Sequence, residues 1–138
     1  MEQSILTPVL VLVCWTLVLW VWLYATRLPA MKAAGVDFTK PAEAKAKMET
    51  LPAKAVNVAN NYNHLHEQPV IFYALIFYIH LSGAVTSLDI QLAWAYVGLR
   101  VLHSLIQCTN NMVIRRFMVF VLASICLFAL AVRAVAAL

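Results

Sequence analysis

The chain has 138 residues, 64% of them hydrophobic and only 12% charged, with a formal net charge of +4. Soluble domains are about half apolar and about a quarter charged, and a chain this short cannot bury so much apolar surface in water, so lipid is the implied solvent. Three glycines and five prolines leave few turns, and long continuous elements in a bilayer are helices. No basic patch interleaved with aromatics is present, which argues against a nucleic-acid partner. Cys14, Cys108 and Cys126 are an odd set without CxxC or Cys/His spacing, so neither a disulfide framework nor a metal site is expected.

In chain order, a first membrane span is predicted from Leu6 to Ala25, about the length needed to cross hydrocarbon. Thr7 followed by Pro8 reads as its start, a capping hydroxyl and a proline at the first helical position. A signal peptide is the rival reading; the acidic, non-basic start and the length of the apolar run favour a retained span. Trp15, Trp20, Trp22 and Tyr24 suit an interface anchor. The segment from Arg27 to about Asn57 is polar and reads as a loop, within which Pro41 to Lys47 has the composition of a short surface helix. The second span is placed at Gln68–Ser82, with a helix beginning earlier near Val56, the third at Leu88–Ile106 and the fourth at Phe117–Ala136. Ser82 to Ser87 is a short connection that makes the second and third spans antiparallel neighbours. The expected fold is therefore all-α, one domain over residues 1–138, an integral membrane four-helix bundle running up-down-up-down.

Lysine and arginine placement sets the orientation. Arg27, Lys32, Lys40, Lys45, Lys47 and Lys54 fall in the first loop, and Arg115 and Arg116 in the third connection, whereas the N-terminus and second connection have none. The positive-inside rule makes the first and third connections cytoplasmic and both termini non-cytoplasmic. Arg133 opposes this weakly and can snorkel.

Ionisable groups at membrane depth each need a reason. Arg100, His103, Ser104 and Gln107 share one face of the third span at helical spacing. Asn60, Asn63, His64 and Glu67 form a matching stripe before the second span, and Pro69 is expected to kink that helix. Counted from the connection between spans two and three, Glu67 and Arg100 lie within roughly 5 Å of the same depth, which predicts an ion pair. The two stripes serve either to glue helices or to line a polar cavity open to the cytoplasm. The histidines have no spacing that demands haem.

These residues resemble the MAPEG family, membrane-associated proteins in eicosanoid and glutathione metabolism. Asn63-His64-Leu65-His66-Glu67-Gln68-Pro69 is similar to the family's second-helix pattern of asparagine, acid and proline. Arg100-Val101-Leu102-His103 resembles its Arg-x-x-His motif, and Arg116 stands at the spacing of a basic residue opening the fourth helix. The resemblance covers the whole chain and implies a homotrimer in the lipid bilayer with glutathione as co-substrate between subunits. It assigns Arg27, Asn63, Glu67, Arg100 and His103 to glutathione binding, and Arg116 to stabilising the thiolate. Departures exist: no Lys or Arg lies between Lys54 and Arg100, and Gln107 stands where the family commonly has tyrosine. Two functions follow as alternatives, a glutathione-dependent transferase or peroxidase acting on lipophilic electrophiles, and a non-enzymatic scaffold or lipid-binding protein on the same trimeric frame.

Overall fold

The computed structural model describes residues 4–138. Met1–Gln3, part of the terminus without basic residues, lie outside the described residues. All the regular structure described is helical: α1 (Leu6–Ala34), α2 (Pro41–Glu49), α3 (Ala53–His64), α4 (Gln68–Ser82), α5 (Ser87–Cys108) and α6 (Val113–Ala136).

The start of α1 differs from the expected one. Ile5 is its N-cap residue, and the free N–H of Leu6 is met by the Ser4 hydroxyl at 3.2 Å, so Thr7 and Pro8 both lie inside the first turn. α1 also runs to Ala34, past the expected end at Ala25, and stops at Gly35. Gly35 has φ 67°, a left-handed conformation that costs a glycine little. Its N–H and that of Val36 bond back to Lys32 and Met31, the usual closure of a helix C-terminus. The first loop is correspondingly short and contains α2, which starts on Pro41 and is tied to the end of α1 by Lys47 Nζ donating to Gly35 O at 2.9 Å. Before α2, the Asp37 carboxylate accepts from the Thr39 hydroxyl at 2.6 Å and the Thr39 N–H at 3.0 Å. Those bonds hold it below the usual carboxylate range.

α1 and α6 are long and apolar enough to cross a membrane. α4 has 15 residues, about 22 Å of helix, because the rod it would share with α3 is interrupted at Leu65–Glu67. Pro69 brings no N–H to that junction, and Glu67 takes φ −95°, ψ −93°, outside the helical region. α5 is long enough but carries Asp89, Arg100 and His103, which lowers its apolarity.

The core lies between α1, α3, α4, α5 and α6. Leu12 and Leu19 of α1, Phe72 and Ile76 of α4, Ala93 and Tyr96 of α5, and Ala123 and Leu130 of α6 have no exposed surface. Phe72 stacks on Tyr96 at 4.5 Å and 22°. The Tyr96 hydroxyl donates to Gln68 Oε1 at 3.1 Å, and Gln68 Nε2 donates to Ser124 at 2.9 Å, joining α5, α4 and α6 inside an apolar layer. Lipid removes most of the hydrophobic drive between helices, so close packing and such bonds carry the association.

The far end of the α5–α6 contact is closed by ions. Thr86 and Asp89 form a reciprocal capping box at the start of α5. Arg133 Nε reaches Asp89 Oδ1 at 2.7 Å and Arg133 Nη2 donates to the Thr86 hydroxyl at 2.7 Å. Arg133, expected to snorkel, thus has a partner. Asp89→Ala removes a cap and one side of this pair together. It is expected to lower the stability of the detergent-solubilised protein by roughly 1–3 kcal/mol in thermal unfolding, with Thr86→Ala losing less. An unchanged unfolding midpoint in Asp89→Ala would count against the cross-brace.

Candidate functional site

Four positions of α5, Arg100, His103, Ser104 and Gln107, turn inward together and are buried. Helical spacing puts them on one stripe, against which His64 of α3 and Phe120 of α6 pack. Arg100 has no exposed surface. Its Nη2 lies 2.8 Å from His64 Nδ1. A guanidinium only donates, so His64 Nδ1 is the acceptor and the ring's proton sits on Nε2. Arg100 Nε and Nη1 are buried without partners, as are His103 Nδ1, Ser104 Oγ and Gln107 Oε1. A buried charge with one neutral acceptor is costly, which is more typical of a functional site than of structural glue.

His64 ends α3, and its ring stacks on His103 at 4.9 Å and 12°, with Phe120 of α6 edge-on at 5.4 Å. Beside this stack lies a cavity of about 230 Å³ lined by His64, His103, Gln107, Val113, Arg116, Phe117 and Phe120. Arg116 lies in the first turns of α6, which begins at Val113, before the expected Phe117. Its Nη1 donates to Asn111 Oδ1 at 2.8 Å, and Asn111 Nδ2 donates to Asn57 Oδ1 of α3 at 3.2 Å. Asn111 has φ 49°, a left-handed conformation that asparagine tolerates better than most residues. The turn between α5 and α6 therefore orients the arginine and ties it to α3. The free N–H groups and dipole of a helix start favour an anion at this place.

The fold brings together three of the residues singled out by sequence: Arg100, His103 and Arg116. Arg27 is half-buried in a separate cavity of about 210 Å³ with Leu23, Tyr24, Leu28, Met31, Phe38 and Met48. Asn63 and Glu67 are exposed and do not line the cavity with Arg116.

The expected Glu67–Arg100 ion pair is not formed. The ion pairs among the described residues are Lys40–Glu43 and Asp89–Arg133, and Arg100 takes the His64 imidazole instead. Counting residues along α4 gives the depth of Glu67 but not its direction: Glu67 stands at the break, with φ −95° and ψ −93°, and its side chain is exposed. The inward asparagine of α3 is likewise Asn61, with no exposed surface, while Asn60 and Asn63 face out. Its register follows Ala55, Val58 and Leu65, all buried; that apolar spacing was the signal that could have found it. The Asn57–Asn111–Arg116 chain has no comparable sequence signal.

The helices and the cavity define an all-helical membrane protein with a cationic site near one end. The MAPEG family model matches residues 5–136, nearly the whole chain, and the chain belongs to that family. No curated protein and no solved structure matches it.

The buried guanidinium yields a stability prediction. Replacing a poorly compensated buried charge by a packed apolar chain is often stabilising. Arg100→Met is expected to raise stability in detergent by roughly 1–3 kcal/mol, and Glu67→Gln to change it by less than about 0.5 kcal/mol. Their double-mutant cycle in thermal unfolding should be additive; a coupling well above that figure would restore the Glu67–Arg100 pair.

Proposed function

We propose that the protein is a glutathione-dependent transferase or peroxidase acting on lipophilic electrophiles. It works as a homotrimer of four-span, up-down-up-down subunits, with the α1–α3 connection and the start of α6 on the cytoplasmic side and both termini on the other. The observation that carries this reading is the cavity beside Arg116, where a helix start, a guanidinium and two imidazoles converge and no carboxylate lines the wall. Family membership supports glutathione as the co-substrate.

The chemistry follows from charge. Glutathione is a net anion with a thiol, and a neighbouring cation lowers the thiol's pKa so that more thiolate is present at neutral pH. Arg116 is the group assigned to that thiolate. In the transferase reaction the sulfur attacks an electrophilic carbon of a substrate arriving from the bilayer. The S–C bond forms and the electron pair leaves with the displaced group or, in an addition, moves to the neighbouring atom, which takes up a proton. In the peroxidase reaction the sulfur attacks an oxygen of a lipid hydroperoxide, the O–O bond breaks and the alcohol leaves. A second glutathione thiol then displaces water from the sulfenic acid to give the disulfide. Arg100 and His103 supply charge and shape behind the cavity. Asn63 and Glu67, exposed on the subunit, and Arg27, on α1, are the groups through which a neighbouring subunit would complete the site. Glu67 would meet the ammonium of the tripeptide. The alternative reading, a non-enzymatic scaffold or lipid-binding protein, draws on the absence of any Lys or Arg from residue 55 to residue 99, which leaves the site short of cations for two carboxylates.

Calorimetry with glutathione and the detergent-purified protein separates the two. Binding is expected, and Arg116→Ala is expected to reduce turnover of a lipophilic electrophile about a hundredfold, the scale of losing one charge-stabilising donor, with glutathione affinity nearly intact. No heat of binding by the parent protein leaves the scaffold reading; an unchanged rate in the variant leaves Arg116 as an anchor at the start of α6 and not a catalytic group. Native mass spectrometry should show three copies. For orientation, a cysteine introduced by Lys45→Cys should resist a membrane-impermeant thiol reagent added to intact cells; labelling from outside would reverse the proposed topology.

A further inference from the structure

The His64 ring is held on three sides by its own chain. Nδ1 accepts from Arg100 Nη2 at 2.8 Å, His103 stacks on one face at 4.9 Å, and Phe120 meets it edge-on at 5.4 Å. What is left is the edge that carries Nε2. His64 lines the cavity that Arg116 lines, and its Nε2 is neither bonded within the described residues nor among the sealed, unpartnered atoms. Arg100 cannot give up its protons, so the Nδ1 lone pair is committed to it and the ring hydrogen is confined to Nε2.

We propose that His64 is a ligand-binding residue of this cavity: it presents Nε2–H as a fixed donor to an anionic group of the bound thiol peptide, and Arg100 acts behind it as a positioning residue that sets the tautomer. This rests on the glutathione reading above. The wall of the cavity has no carboxylate and one guanidinium, so its complement is an anion. The helices before α5 bring no lysine or arginine to its wall; their cations lie at Lys54 or earlier in the chain, away from the end of α3 that reaches the cavity. His64 supplies that wall with a donor that carries no charge. A third cation there would be repelled by Arg100 and Arg116; a neutral imidazole N–H is not. Stacking on His103 holds the ring plane, so the donor is oriented before the ligand arrives and little ordering is lost on binding.

The test uses the full chain in detergent with nitrogen-15-labelled histidine, and reads both ring nitrogens of His64 by NMR. Nε2 should carry the proton and Nδ1 should not. Titration with glutathione, and separately with inorganic sulfate, should move the Nε2 signal. His64→Asn keeps an acceptor for Arg100 but has no group at the Nε2 position, and should bind glutathione about tenfold more weakly, the scale of one hydrogen bond to a charged group. His64→Gln places an amide N–H near the Nε2 position and should recover most of the loss. Glutathione affinity unchanged in His64→Asn, or a parent ring protonated on Nδ1, overturns the proposal. Where His64→Asn does not fold, the parent's ring signals decide. Sulfate moving Nε2 while glutathione does not bind would keep His64 as an anion donor and remove the glutathione reading. Neither anion moving it would remove His64.

Discussion

The constraint on which the interior depends is a guanidinium sealed among helices. Arg100 has no exposed surface and one protein acceptor, the imidazole at the end of α3. Desolvating such a charge costs several kcal/mol, so the surrounding elements are arranged around what it can bond. α3 delivers His64 to it, α5 stacks His103 on that ring, and α6 brings Phe120 against the pair. The cavity beside Arg116 exists because these aromatic groups occupy the space behind it and leave the space in front open. A buried charge kept at that cost is the opposition expected where function is held against stability.

α6 is braced at two distant points and packed closely in between. At its start, Arg116 is tied through Asn111 to Asn57 of α3; near its end, Arg133 is tied to Asp89 and Thr86 at the start of α5. Between them Ala123 and Leu130 are fully buried, and Ser124 accepts from Gln68. A helix held this way cannot slide along α5 without breaking polar contacts at both ends. The placement of Arg116 at the cavity is thus set by contacts far along the chain as well as by its own turn.

Much of this was legible in the sequence, because apolar composition and helical spacing are local signals. The short helix after Lys40 forms where proline and good helix formers coincide, and the stripe of Arg100, His103, Ser104 and Gln107 is buried as one face. The misses differ in cause. That Asn61 turns inward, and Asn60 and Asn63 do not, follows the apolar register of Ala55, Val58 and Leu65, a signal that the polar stripe at 60, 63, 64 and 67 concealed. Whether Arg100 meets Glu67 or His64 depends on the break at Leu65–Glu67, and Pro69 announces a break without giving its angle. The Asp89–Arg133 contact joins residues far apart in sequence, and only its capping half, Thr86 with Asp89, has a local signature. The left-handed turn at Asn111 that aims Arg116 has none.

The break between α3 and α4 also has to settle its own backbone. Interrupting a helix strands carbonyls that lack donors, and lipid offers no water to meet them. Here the N–H groups of Leu65, His66 and Glu67 bond back to the carbonyls of Asn61, Asn63 and His64, and the His66 ring donates to the Tyr62 carbonyl at 2.8 Å. The chain therefore turns at this place without leaving an open peptide carbonyl at the end of α3.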